Sequence, residues 1–398
     1  MLSNKKSIAV LSTLLLSAFS FNSTAKATSA ELLLIPDAGE QSARVQLKID
    51  FSQLKRATAL DIARQYQQLK PLLSELINQT NQAVSLHDLS KSAGKLDLTE
   101  FNQFKREVIK AKGLPANTEG LVELRLADES MLSTFNQGVA PLFTFEPAGD
   151  ESQWQYIEAF DSNGNSHLLE IDKMPTRPVF VIDINAKTDM KVGIAQMKAI
   201  FAAYRNGTAL SKQVVTAEAP TTSASTTLET SVLKTISLKD DHEPWISGSA
   251  EVYGVVTGID ASRADPILDV VEMPYLDHDG TTYYPNQIVI YWERYRWNAA
   301  DMILMEHDDN TNYQELAIKL AETAAAIMAI IPDPTVQGLS VLGKLTAELI
   351  KAMPEDWFVN NDDYVDVFYT LLKNSTYTNY YGASANAKIT LQPLVLSQ

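Results

Sequence analysis

Two short stretches of this chain concentrate side-chain oxygen: Asp277-His278-Asp279-Gly280 and Glu306-His307-Asp308-Asp309-Asn310. Between Asp260 and Asp309 there are eleven acids against three arginines. Carboxylates at that density repel one another, and a hard divalent cation with oxygen ligands would relieve the repulsion. The expected ligands of such a calcium site are Asp277, Asp279, Glu306, Asp308 and Asp309, with Asp260, Asp265 and Asp269 of the preceding loop as additional candidates. The same residues also suit ordinary solvated turns, because Asp bonds its own backbone and Gly accepts unusual φ. A third reading uses the carboxylates in a metal-dependent hydrolase, with His278 and His307 joining Asp279 or Asp308 around zinc.

No reaction signature accompanies these clusters. The sequence has no His-Glu-x-x-His, no Gly-x-Ser-x-Gly and no phosphate-binding glycine loop. Two stretches imitate a calcium-binding helical loop and fail on ligand positions. Gly94 to Phe101 matches only the second half of such a loop, and Leu89, Lys91 and Ala93 occupy places where oxygens belong. Asp161-Ser162-Asn163-Gly164 has Ala159 at the first ligand position and reads as a hairpin turn.

The elements that must position these residues follow from periodicity. Val45 to Phe51 alternates like a strand, Ala57 to Ile77 has helical spacing, and a second helix runs from Asp97 or Thr99 to Ala111. Val122 to Leu126 is strand-like. Trp154 to Phe160 and His167 to Ile171 form a hairpin, Pro178 to Ile182 a buried strand, and Met190 to Tyr204 an amphipathic helix. Ala219 to Thr227 is rich in Thr, Ser and Ala without periodicity and reads as linker. Within the linker region, Val232 to Leu238 alternates enough for a short strand of the following domain.

Downstream, Ala250 to Gly258 and Ile267 to Glu272 are strand-like. Ile288 to Trp297 and Met302 to Glu306 read as a hairpin turning at Asn298 to Asp301, which would bring the two acidic clusters to one end. The aromatics Tyr283, Tyr284, Tyr291, Trp292, Tyr295 and Trp297 suit half-buried strands, or surfaces that stack on sugars or fill a protein groove. Apolar helices over 313–331 and 336–353 flank Pro332-Asp333-Pro334, and strands return at Val365 to Leu372 and Ala387 to Leu396. Lys319, Glu322 and Glu348 give the helical pair a polar face, so it packs as a pair rather than entering a membrane.

The expected organisation is α+β: a signal peptide over 1–27, an N-terminal α+β domain over 28–206, a linker over 207–245, and a C-terminal β-sandwich-like domain with a helical hairpin over 246–398. Lys5 and Lys6, the apolar stretch Ile8 to Phe21 and Ala25-Lys26-Ala27 have the form of a cleavable export signal. Export to the periplasm or beyond is therefore expected, and no later stretch is long enough to span a bilayer. The chain has no cysteine, which removes disulfides, thiolate metal sites and cysteine nucleophiles. A net charge of −16 repels phosphate backbones and argues against nucleic-acid partners.

Tyr283-Tyr284-Pro285-Asn286-Gln287, Tyr291-Trp292-Glu293-Arg294-Tyr295 and Glu306-His307-Asp308-Asp309-Asn310 resemble a family of exported bacterial proteins, the domain of unknown function 3103 family. Gly149-Asp150-Glu151-Ser152 before Trp154, and Arg177-Pro178-Val179-Phe180-Val181 after it, resemble the family's amino-terminal half. The resemblance covers most of the chain beyond the signal. It implies bacterial export and a two-part layout, but no activity, cofactor or catalytic residue. The functional expectation is a non-catalytic binding module for a protein or glycan partner, with calcium as its only cofactor. The alternative is the hydrolase.

Overall fold

Helical spacing of apolar residues organises the first half of the chain around one mixed sheet. The computed structural model describes residues 50–92, 96–148, 153–205, 227–239, 245–248, 252–261, 265–276, 278–306, 311–330, 338–353 and 364–397. All belong to one compact unit, Gln46–Gln398. The helices of the first half are α1 (Ser52–Arg64), α2 (Tyr66–Leu76), α3 (Leu86–Ser92), α4 (Thr99–Ala111), α5 (Leu132–Asn136) and α6 (Ala186–Arg205). Its strands are β1 (Ala83–Ser85), β2 (Val122–Leu126), β3 (Leu142–Thr144), β4 (Tyr156–Phe160), β5 (Ser166–Glu170) and β6 (Val179–Ile184), in the order β1-β2-β6-β3-β4-β5. Only β3 and β6 run parallel. Ala59, Ile62, Leu69, Leu73, Phe101, Phe104 and Val108 share one helical face each and close over the sheet.

The helix expected over Ala57 to Ile77 is two helices, because the chain breaks at Gln65. There the Gln65 side chain bonds both the backbone N–H and the carbonyl of Asp97, tying the break to the start of α4. The strand expected from Val45 to Phe51 lies mostly outside the described residues, and Phe51 itself precedes α1 in helical conformation. The turn Asp161 to Asn165 forms as expected. Gly164 supplies φ +79°, and the Asp161 carboxylate accepts from the N–H groups of Asn163 and Asn165. Those bonds, with the Asn165 side chain first, hold its pKa well below the usual carboxylate range.

The second half is a β-sandwich with a helical layer. One sheet contains β7 (Thr227–Leu238), β10 (Gln287–Tyr291), β13 (Tyr377–Tyr381) and β14 (Ala387–Ser397), in the order β10-β7-β14-β13. The other contains β8 (Val252–Ile259), β9 (Pro266–Met273), β11 (Ala299–Glu306) and β12 (Tyr364–Leu372), in the order β12-β11-β8-β9. Strand alternation divides the buried residues between two cores. Met302 and Leu304 of β11 meet Leu233, Ile236, Ile389 and Leu391 between the sheets. Ile303 and Met305 face the other way, onto α7 (Tyr313–Ile330) and α8 (Ser340–Ala352). Trp292 and Tyr295 are buried between the sheets, whereas Tyr284 is 72% exposed. No helix among the described residues is long and apolar enough to cross a membrane.

Two sequence expectations are corrected here. The stretches Ile288 to Trp297 and Met302 to Glu306 do not form a hairpin: β10 pairs with β7, while β11 pairs with β8 and β12 in the opposite sheet. The connection is a corner of two 3₁₀ turns, with Trp297 and Asn298 both at positive φ, which carries the chain from one layer to the other. The linker drawn over 207–245 contains β7, a 12-residue central strand paired on both sides. The alternation from Val232 to Leu238 marked only its second half.

Chain order and packing also diverge at the middle of the molecule. Met190, Ile194, Met197, Ile200 and Phe201 of α6 belong to the core formed with α7 and α8. Conversely, Ile246, which follows β7, is buried in the core of the first half.

Candidate functional site

Three groupings of ionisable side chains bear on function, and their access to solvent separates them. The first is a buried lattice beneath α1. Lys55 Nζ donates to Glu146 Oε2 at 2.5 Å and to Asp183 Oδ1 at 2.9 Å, and Arg125 Nε donates to Asp183 Oδ2 at 2.7 Å. Arg125 also donates to the carbonyl of Ile246, and Asn185 to the Glu123 carboxylate. Glu123 and Asp183 are direct cross-strand partners, so strand register places them on one face of the sheet. Burial pushes both Glu146 and Glu123 above the ordinary carboxylate range. Perturbed acids of this kind accompany active sites, and they equally accompany structural ion networks. Here the polar atoms satisfy one another and Lys55 is only 3% exposed. The lattice holds α1 on β6.

The second grouping comprises the acidic loops. Asp277, Asp308, Asp309 and His307 lie outside the described residues. Glu306 ends β11 and is buried opposite Val252, which pairs in turn with Met273. Asp279 lies on the connection that leaves the same end of the sheet after Met273, and Gly280 N–H bonds the carbonyl of Leu238. Asp260 and Asp265 sit at the other end, beside the Ile259–Pro266 pair. Seven residue steps of β8 separate the two ends, about 23 Å at ~3.3 Å per residue. A single ion with ligand distances near ~2.4 Å cannot join Asp260 or Asp265 to Glu306. Asp269 is already committed: Arg294 approaches one oxygen at 2.7 Å and the Tyr295 hydroxyl donates to the other at 2.6 Å. The described acids among those expected around one cation therefore divide, Glu306 and Asp279 at one end of the sheet and Asp260 and Asp265 at the other. Among the described residues, no three of His, Asp and Glu are grouped to hold a metal ion.

The third grouping is the one that opens to solvent. The end of α6, the start of β9 and the middle of α7 enclose a cleft of about 110 Å³, lined by Phe201, Tyr204, Arg205, Asp265, Leu268 and Ala324 among others. At ~10–15 Å³ per water-sized group, that is room for roughly seven to eleven non-hydrogen atoms. The apolar face of α6 lies on the sandwich, which holds Phe201 under the cleft and leaves Arg205, the last helical residue, at its mouth. Alanines at 321, 324 and 325 keep α7 close without filling the space.

Around this mouth the sequence-predicted Asp260, Asp265 and Asp269 do come together, beside Arg205 and Arg294. Asp260 N–H bonds the Asp265 carbonyl, and Asp260 bridges to Tyr295. Burial and the neighbouring Asp269 charge raise the Tyr295 phenol well above its ordinary value, so it stays protonated as a donor. Burial lowers the Arg205 guanidinium from its ordinary pKa, and Arg294 adds to the effect. Burial likewise raises the Tyr204 phenol, with a contribution from Glu322. Among the described residues, neither the Arg205 guanidinium nor the Tyr204 hydroxyl makes a hydrogen bond or ion pair. Both line the cleft, with the charges of Asp269 and Asp260 near Arg205 and that of Glu322 near Tyr204. Arg205 and Tyr204 have no distinguishing sequence signal, since they close an ordinary amphipathic helix immediately before a low-complexity stretch.

No curated protein and no solved structure matches the chain. A family model does, over residues 55–398, and that span takes in the buried lattice, both sheets of the sandwich and every residue named around the cleft. By that match, which the motifs around Trp292 and Arg177 anticipated, the chain belongs to the family described as protein of unknown function (DUF3103).

Proposed function

We propose that this chain is an exported, non-catalytic binding protein whose ligand enters the cleft between α6, β9 and α7. The observation that carries this reading is the chemistry of the lining. One carboxylate, Asp265, stands beside an arginine, a tyrosine and an apolar wall, and the described lining residues include no histidine, serine or threonine. That composition suits recognition, in which an apolar body is desolvated and a few polar groups fix orientation. Among the described lining residues it offers no nucleophile with a base beside it, and the neighbouring Asp269 is already held by Arg294 and Tyr295. The cleft walls come from a long helix, a strand and a second helix that pack in one core, so the cavity is held open without a ligand.

A fragment library screened against the full chain by ligand-observed NMR tests the proposal, with Ala325→Trp as the cleft-filled control. Ala325 lines the cleft on a half-exposed face of α7, so the larger side chain projects into the opening. Fragments that bind the parent chain and lose binding in a folded Ala325→Trp variant are expected. Binding that survives the substitution would move the ligand elsewhere. Turnover of ester, phosphoester, peptide or glycosidic substrates that the substitution abolishes would replace binding with catalysis.

A further inference from the structure

The two partnerless donors also say what kind of ligand the cleft accepts, an inference that rests on the binding reading above. We infer that the cleft takes a small monocarboxylate with an apolar body, its carboxylate on Arg205 and Tyr204 and its chain along Phe201, Leu268 and Ala324. Three observations lead there. First, the other charges at the mouth are already engaged. Asp269 is held by Arg294 and Tyr295, and both Asp260 and Asp265 have partners of their own. Among the described residues Arg205 makes no hydrogen bond or ion pair, although the charges of Asp269 and Asp260 reach it, and an arginine presents planar, forked donors that match a carboxylate geometrically.

Second, at half-buried Arg205 desolvation and the neighbouring Arg294 outweigh the charges of Asp269 and Asp260, so the cation still gains from an incoming anion. Third, the rest of the lining is apolar, and the room is that of a short fatty or aromatic acid rather than a sugar or nucleotide. The exposed Asp265 at the rim limits the charge that fits. One negative charge is neutralised by Arg205, whereas a phosphate would bring a second charge against the aspartate.

Hexanoate, hexanamide and hexylamine share one chain and differ only in head group, which makes them the probes. Isothermal titration and thermal melts on the full chain would compare them for the parent, Arg205→Gln, Arg205→Lys and Ala325→Trp. Hexanoate is expected to bind and to raise the melting temperature. Arg205→Gln should weaken hexanoate about ten- to hundredfold, the scale of a lost charge-assisted hydrogen bond, and leave hexanamide within about twofold. Arg205→Lys should recover part of the loss, and Ala325→Trp should abolish binding of both.

Equal affinity for hexanoate and hexanamide, or no effect of Arg205→Gln, would overturn the carboxylate inference while leaving the cleft as a binding site. Tighter binding of hexylamine would overturn it in favour of Asp265. If the three probes fail while other fragments bind in an Ala325-sensitive manner, the ligand class is wrong and the site stands. If no fragment binds there, both readings fall.

Discussion

At the scale of single residues, two aspartates of the sandwich show how burial divides acids into anchors and liabilities. Asp366 and Asp301 are both fully buried. Asp366 accepts from four backbone N–H groups, Val367 and Ser384 on one oxygen and Asn386 and Ala387 on the other, at 2.8 to 3.0 Å. Its charge is compensated by dipoles, and it pins the connection between β13 and β14. Asp301 is different. One oxygen accepts from Thr370 N–H at 2.7 Å, and among the described residues the other meets no donor at hydrogen-bond geometry, although the Thr346 hydroxyl lies near enough to favour the charged form. Nearby Thr346 shares its hydroxyl with Thr257. Burial raises the Asp301 pKa above the ordinary carboxylate value.

The consequence for stability has a definite sign. A carboxyl whose folded pKa exceeds its unfolded one favours the fold below the unfolded pKa, ~3.9. That contribution is lost as pH rises through the folded pKa. Asp301→Asn keeps the shape of the neutral acid and removes the titration. Urea unfolding of the parent and Asp301→Asn across the range from about pH 4 to pH 8 should show the parent losing stability relative to the variant as pH rises. A difference that stays flat over that range would mean that Asp301 does not titrate out of step with the unfolded chain.

At the scale of elements, the contact of α6 with α7 rests on a single missing side chain. Gly193 faces the Tyr313 ring so closely that a Cβ there would collide with it. Tyr313 also meets Tyr253 edge-on and receives the ammonium of Lys112 at 5.7 Å, while Lys112 pairs with Asp189 at the start of α6. Gly193→Ala pits two terms against each other. Helix propensity gains about 1 kcal/mol, and overpacking against a ring with no room to move costs about 1–3 kcal/mol. A net loss of up to about 2 kcal/mol is expected in chemical denaturation. In a Tyr313→Leu background the same substitution should become neutral or stabilising, and a double-mutant cycle reads the coupling. Additive effects of the two substitutions would mean the helices do not meet there.

These elements also mark what the sequence could disclose. The elements β2, β4, α4 and α7 were visible in outline because each carries a regular apolar pattern, and β6 and β8 because they are continuous apolar runs buried on both faces. The short strand β1 was not, since three residues have no measurable alternation, nor was β13, whose Tyr377-Thr378-Asn379-Tyr380-Tyr381 lies at a sheet edge and is largely exposed. Pairing was the larger loss. Nothing local distinguishes a hairpin from a corner between sheets when the joint is Trp292 to Asn298, because its two left-handed residues are not glycine. That misassignment is why the sequence drew the two acidic clusters together at the open end of a hairpin. Arg205 was illegible for the opposite reason: its importance comes from what it does not touch, which only the assembled cleft reveals.

At the scale of the whole molecule, the two halves exchange parts. The first half lends α6 to the core of α7 and α8, and the second half returns Ile246 to the core beneath the mixed sheet. Arg125 of the buried lattice donates to the Ile246 carbonyl, so the returned segment is fixed by the same network that holds α1. Further bonds cross the junction, from Asn312 to the Ala111 carbonyl and from Gln196 to the Gly113 carbonyl. Domains that fold alone meet through small polar surfaces; here each core would be left with an exposed apolar gap if the other unfolded. Cooperative unfolding of the whole unit follows, despite a length at which chains commonly divide. Native-state hydrogen exchange gives the test, with amides of β6 reporting on the first half and amides of β11 on the second. Ile246→Ala removes a buried side chain from the first core at a cost of about 2–5 kcal/mol. If the exchange is reciprocal, slow amides in both strands lose protection by the same amount, although the substitution touches only one core. A loss confined to β6 would make the halves separate folding units, and α6 a helix docked onto a sandwich that stands without it.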